Sequence, residues 1–263
     1  MGAVLRLLRG APAYLWSGWG ALASLMLLLA AWEAAAQALG PLVLPTPAQT
    51  WQALHALAAE RQLAPALLAT GRRALLGLGA AMALGTVLGM LAGRWAALAV
   101  ALRPLVTVVL GTPPIAWLVL ALLWFGAGDG TPVFTVFIAC FPPVFAAALQ
   151  GTRTLDRQLR DMARAFRLPP WMALREVLAP HVLSYVFPAW ITALGQAWKV
   201  VVMAELLATE SGVGAALAVT RSQLDTAGTL AWVAVVVGCL LALESLLLVP
   251  IQRELERWRE ATT

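Results

Sequence analysis

The side chains in this sequence whose types and spacing could do chemistry are few, and most are cationic. Arg153, Arg157, Arg160, Arg164 and Arg167 recur at spacings of 4, 3, 4 and 3 within the stretch 151–180. That period lays all five along one face of a helix, beside a small apolar side made of Met162, Ala163 and Phe166. Leu168-Pro169-Pro170 ends this helix, because proline disfavours the helical conformation of the residue before it. A second short helix, 171–178, then starts with proline in its first turn. Such a cationic helical hairpin either holds a loop on one side of a membrane or docks into a partner's cleft, and the residues alone leave both readings open. Two further charges, Lys199 and Glu205, lie inside an apolar run. They are six residues apart and project about 240° from one another, so they do not form a simple helical pair. A charge inside hydrocarbon faces a cavity or a partner. Lys199 therefore either lines a pathway and attracts an anion, or bridges to Glu33 or Glu244 on a neighbouring helix.

Catalytic chemistry is poorly represented. There is no GxxxxGK[ST] loop to hold ATP, and no plausible nucleophile–base constellation. Cys140 and Cys239 lie in apolar stretches without CxxC or histidine spacing, which fits buried thiols better than a metal site or disulfide. His55 and His181 have no carboxylate at ligand spacing. The expectation is a chain that is not an enzyme and binds neither metal nor cofactor.

The elements that must position these charges are membrane spans. The 263-residue chain is 61% hydrophobic and 12% charged, with a mean hydropathy of +0.82. An ordinary soluble domain is about 25% charged. The pattern predicts an all-α polytopic membrane protein, a single domain over 1–263, with about six transmembrane helices near 15–39, 66–92, 97–122, 132–150, 182–207 and 226–249. The first apolar run is too long for a signal-peptide core, and Glu33 in it must face protein or the interface. Between the first two spans, Pro45 and Pro47 break the chain, and Thr46 or Thr50 caps a short amphipathic helix outside the bilayer. In the second span Gly77, Ala81, Gly85, Gly89 and Gly93 recur every four residues, a smooth stripe against which another helix can close. Arg72 and Arg73 at its start are expected to snorkel to the outer surface.

The third span contains Thr112-Pro113-Pro114 and Trp117. Two prolines in a span remove two backbone donors and leave carbonyls free, which only protein or a wet cavity can satisfy. The segment is either a packing kink or a broken helix lining a path near Thr112, Pro113 and Trp117. Pro142-Pro143 sits in the fourth span. Beyond the fifth span, Glu210–Gly214 reads as a flexible outer loop and Val213–Leu224 as a short helix. From Pro250 a mixed-charge tail reads as a solvated helix. With both termini inside, thirteen of the 18 basic residues fall on inner segments, four (Arg61, Arg72, Arg73, Arg221) fall outside, and Lys199 lies in the bilayer. The positive-inside rule is satisfied, and basic residues spread over inner loops exclude a nucleic-acid site.

Several strings carry a family resemblance. Asp161-Met162-Ala163-Arg164 and, further on, Val177-Leu178-Ala179-Pro180 resemble the coupling loop of ABC importer permeases. Leu44-Pro45-Thr46-Pro47, Ile115-Ala116-Trp117 with Leu123-Trp124-Phe125-Gly126, Ala204-Glu205 and Ser211-Gly212-Val213-Gly214 are similar to strings of its nitrate/taurine/sulfonate-type branch. Two positions depart from the pattern. Asp161 stands for the usual glutamate, and Arg167 for the usual glycine. If position 167 needs positive φ, the exchange costs about 1 kcal/mol.

The resemblance implies a type I ABC importer permease fold in a bacterial inner membrane. It implies work supplied through 151–180 by two separate ATPase subunits, which hold the ATP and Mg. Arg157, Arg160, Asp161, Ala163, Arg164, Arg167 and Pro180 fall in the coupling loop, and Trp198, Lys199 and Glu205 join Thr112, Pro113 and Trp117 as candidate path residues. Further implied partners are a second copy of the chain, an outer substrate-binding protein and membrane lipid, with a small anion as cargo of the nitrate, taurine, sulfonate, bicarbonate or thiamine-precursor class. The alternative is a secondary transporter or channel driven by an ion gradient, whose signature is a pair of broken helices in repeated halves.

Overall fold

The computed structural model describes residues 2–245, so the tail beyond 245 and its arginines lie outside the described residues. The chain forms α1 (Gly2–Leu39), α2 (Pro47–Ala59), α3 (Leu63–Arg94), α4 (Ala96–Gly111), α5 (Pro114–Phe125), α6 (Gly130–Arg153), α7 (Arg157–Ala165) and α8 (Pro170–Met172). A π-helical turn (Ala173–Leu178) leads into α9 (Ala179–Ala208), followed by α10 (Val213–Ser222) and α11 (Thr226–Leu243). Five segments are long and apolar enough to cross a membrane, and α4 with α5 forms a sixth bent by 102°.

The core is α3 packed on α6 and α9. A Cβ built on Gly77 would stand 2.5 Å from the Val133 carbonyl oxygen, and one on Gly89 would stand 2.5 Å from that of Phe145. Built on Gly85 and Gly93, it would press on Val144 and Thr152. The glycine stripe therefore exists to let the α6 backbone in, as small-residue faces do in membranes. Contact positions rise together along both helices, so α3 and α6 run parallel. The intervening α4–α5 must then return across the membrane, which makes the bent pair one crossing. Cys140 Sγ meets the Ala193 carbonyl at 3.4 Å and Gln196 Nε2 donates to the Ala139 carbonyl, so α9 runs antiparallel to α6. Cys140 is buried and Cys239 half-buried, both as free thiols.

Outside this core, Thr46 caps α2 through a reciprocal capping box with Gln49. Trp32 Nε1 donates to the Pro45 carbonyl at 2.9 Å, and Thr226 Oγ1 to that of Pro41. These contacts put the C-terminal end of α1 and the start of α11 on the side where α9 ends.

Of the two alternatives for the third span the structure takes the broken helix, because Pro113 and Pro114 cannot donate to Val109 and Leu110. Other expectations need correction. Pro142-Pro143 leaves α6 unbroken, so among the described residues there is no second broken span to make the pair the secondary-transporter alternative calls for. The fifth span starts well before 182, since α8 and the π-turn run straight into α9. The five arginines do not share one helix. Arg153 ends α6, Thr154–Asp156 break the chain, and Arg167 lies beyond α7.

Candidate functional site

The elbow of residues 154–180 is built from local signals. Thr154 Oγ1 donates to the Gln150 carbonyl at 2.9 Å, closing α6. Asp156 Oδ1 accepts the Gln158 N–H at 2.9 Å and so caps α7, satisfying one of its orphan donors. That cap is the sequence signal for the break after α6. At the other end Phe166 N–H donates to the Met162 carbonyl and Leu168 N–H to that of Ala163, both at 3.0 Å. Arg167 between them has φ +47°. This is a Schellman close with its left-handed position occupied by arginine where glycine fits best.

The elbow leaves apolar surface in the open. Leu159, Met162 and Phe166 lie on one face of α7 and are exposed, Phe166 by 75%, and Trp171 beyond the turn is 59% exposed. Arg175 lies over the Trp171 ring at 5.4 Å. Asp161, Arg167 and Pro180 are exposed and Ala163 is half-buried. The side chains of Arg157, Arg160 and Arg164 lie outside those described.

At the opposite end of the bundle is a polar cluster that the sequence reading missed. Arg73 is only 3% exposed, which overturns its expected snorkelling, although Arg72 does remain exposed and pairs with Asp129. Arg73 makes four hydrogen bonds and a further close ion-pair contact. Nε meets Asp129 Oδ1 at 2.8 Å, and Nη2 approaches the same oxygen at 2.6 Å. Nη1 donates to Glu205 Oε1 and to the Ser211 carbonyl, both at 2.6 Å, and Nη2 to Ser211 Oγ at 2.8 Å. Glu205 Oε2 accepts from Thr70 Oγ1 at 2.7 Å and from Gly214 N–H at 3.1 Å. Thr70 Oγ1 in turn accepts Val213 N–H at 2.9 Å.

The cluster explains the glycines of Ser211-Gly212-Val213-Gly214. Gly212 has φ +105°, and a Cβ there would collide with the Glu205 carboxylate; at Gly214 it would strike the Val202 carbonyl and Glu205 Cβ. The loop expected to be flexible is thus pinned across a buried ion pair. Asp129 is half-exposed at the rim, and its hydrogen bond from Arg73 holds its carboxyl below the ordinary value of 3.8. The signal that could have found the cluster was Arg73 near the start of one span and Glu205 near the end of another, with glycines following.

The candidate path residues fall into three groups. Thr112, Pro113 and Trp117 gather at the α4–α5 break. Thr112 Oγ1 donates to the Val108 carbonyl at 2.8 Å, and the buried Trp117 Nε1 has no partner among the described residues. Trp198 is turned inward, donating to the Val236 carbonyl at 3.2 Å. Glu205 is 0% exposed and its oxygens are taken up by the cluster, so it has no surface to offer a solute. Lys199 is exposed. It has no ion pair among the described residues, so the bridge to Glu33 or Glu244 is not formed. Glu33 instead accepts from Gln37.

Comparison with known proteins agrees with this architecture. Residues 84–260 match the family model described as "Binding-protein-dependent transport system inner membrane component". The taurine transport system permease protein TauC of Escherichia coli is 30% identical over 242 residues, 89% of this chain and 88% of that one. The nitrate import permease protein NrtB of Synechocystis sp. is 26% identical over 180 residues, 65% of this chain and 66% of its own. Among solved structures, "Crystal structure of an amino acid ABC transporter with histidines" superposes with a TM-score of 0.54 at 19% identity, covering 72% of this chain and 92% of that one, a likeness of fold. With its parallel α3–α6 core, broken return crossing and exposed elbow, the chain belongs to the binding-protein-dependent inner membrane components, as an ABC importer permease of the nitrate/taurine/sulfonate type.

Proposed function

We propose that this chain acts as a single transmembrane domain, one half of an ATP-driven importer for a small anion, worked through residues 151–180 by a separate ATPase. The observation that carries the reading is the exposed apolar face of α7, with Leu159, Met162 and Phe166 presented away from the spans. Burying such side chains against a partner is favourable by about 1.5–3 kcal/mol each when complete. Asp161 and Arg167 are exposed beside that face, and Arg157, Arg160 and Arg164 add to the charge of the same short segment, a composition suited to steering and register. Because α8 and the π-turn continue into α9, displacement of the elbow is carried directly into a span.

In this scheme two copies of the chain enclose the path, with Thr112, Pro113, Trp117 and Lys199 on its wall. Two ATPase subunits bind ATP and Mg, and a substrate-binding protein delivers the solute from outside. The elbow and both termini face the cytoplasm of a bacterial cell, in keeping with the basic residues of the inner loops. Anionic cargo is supported by the names of the relatives and by the lone ammonium of Lys199.

The test is co-purification with the cognate ATPase. Wild type should retain it in stoichiometric amount, while Phe166→Glu and the pair Asp161→Lys, Arg164→Glu should lose it and still elute as intact permease. Uptake into vesicles that persists without nucleotide would overturn the reading.

A further inference from the structure

Most of the exposed surface on the crossings is what lipid requires. On α3 the outward positions include Leu75, Leu76, Leu84 and Val87, and on α11 they include Val233, Val237 and Leu241. The central part of α9 differs. Between Ser184 and Leu207 its exposed residues are Pro188, Thr192 and Lys199, none of them a large apolar side chain. They follow one another at spacings of 4 and 7, which is one helical stripe. Gly195 lies on the same stripe, and a Cβ added there would meet nothing within 4 Å.

The depth of Lys199 sharpens the contrast. It stands nine residues below Ala208, roughly 13 Å along the helix, close to the middle of a hydrocarbon layer about 30 Å thick. Its four-carbon stem is shorter than that depth, so snorkelling to either interface is hard to achieve. Neighbouring polar groups are already committed: Gln196 donates to Ala139, and Trp198 to Val236. The ammonium therefore has no partner in its own chain among the described residues, and lipid cannot supply one. If two copies face each other, a dry contact along this stripe would bring two ammonium groups together with no carboxylate between them.

We propose that the Thr192–Gly195–Lys199 stripe of α9 is wet and is the charge-selecting station of the path, where Lys199 favours small oxyanions such as nitrate or a sulfonate. This rests on the importer reading above and adds to it the residue that selects by charge. Lys199 supplies the field and Gly195 the space beside it, while Thr192, whose hydroxyl donates to the Pro188 carbonyl at 3.0 Å, keeps the stripe small and polar two turns away.

The test uses the full chain in proteoliposomes with Cys140→Ala and Cys239→Ala, and with Thr192→Cys as a reporter. Modification rates are measured for the anionic 2-sulfonatoethyl and the cationic 2-(trimethylammonium)ethyl methanethiosulfonate, each normalised to a free small thiol. With Lys199 present the anionic reagent should be favoured. Lys199→Gln or Lys199→Met should lower the anionic-to-cationic ratio about three- to tenfold, as expected for a unit charge roughly 10 Å away in a partly screened cavity, and Lys199→Arg should keep it. Elution as intact protein confirms that each variant folds, and the two neutral replacements guard against one failing. A Thr192→Cys thiol no more reactive than a lipid-facing Leu84→Cys overturns the proposal, as does a ratio indifferent to the charge at 199. Retention of the ATPase is scored separately. Its loss with the ratio intact defeats the importer reading alone, and an indifferent ratio with the ATPase bound defeats this proposal alone.

Discussion

The two polar ends of the bundle are built on opposite principles. At the end where α9 stops, Arg73 and Glu205 are enclosed, and the polar atoms around them meet one another across α3, α6, α9 and α10. At the opposite end α7 holds its own helix with a cap and a Schellman close, and leaves apolar and charged side chains in the open. The Arg73–Glu205 cluster is complete within one chain, whereas the elbow leaves its side chains unpacked. Charge alone does not distinguish a structural from a working site; what separates them is whether the chain satisfies its own groups.

Mutations should separate the two ends. The largest effect is expected at Arg73→Ala, which strands the Glu205 carboxylate in a dry site. Removing one partner of a buried pair costs about 3–5 kcal/mol, so little folded protein should survive extraction, as read by fluorescence-detected size exclusion. The double replacement Arg73→Met, Glu205→Met should recover part of that loss. If the single variant melts like wild type, the Arg73–Glu205 cluster is not structural and the contrast fails.

Next in size is Gly89→Ala. Its new methyl would sit 2.5 Å from the Phe145 carbonyl oxygen and 2.6 Å from Ala148 Cβ. Overpacking of this kind costs about 1–3 kcal/mol, visible as a lower melting temperature of the permease. At the elbow the expectation reverses: Arg167→Gly should stabilise the turn by about 1 kcal/mol, because glycine accepts positive φ without strain. Slower proteolysis of the elbow would register this, with the bundle's melting temperature unchanged.

The smallest effect concerns Asp129. Its carboxyl titrates below its ordinary value, so its contribution is present above pH 3.8 and is lost as pH falls through the lower folded value. Because Asp129 is half-exposed, the contribution is discounted to less than about 1 kcal/mol. Asp129→Asn should therefore lower the melting temperature slightly at pH 7, and the gap should close below pH 3.8.

The parts of this design that follow from period and composition were legible in the sequence. The spans, the capped α2, the glycine stripe and the break at Pro113-Pro114 each depend on neighbours in the chain or on one helix face. Arg73 was misplaced because its acceptors, Glu205 and Ser211, lie more than 130 residues away, and nothing local separates a snorkelling arginine from a buried one. The arginine row misled in a different way. Its spacing was helical, but Asp156 offered a competing cap that restarted the helix. At Arg167 the departure from the glycine pattern marked the strained position directly.

One consequence follows from the join between α8 and α9. From Pro170 to Ala208 the backbone stays helical for roughly 55 Å, softened by the π-turn, Pro180 and Pro188. A displacement at Pro170 is thus carried along one helical rod to the far end of the bundle, where Glu205 pins the Ser211–Gly214 loop. The two polar ends, built so differently, are therefore joined by a single lever.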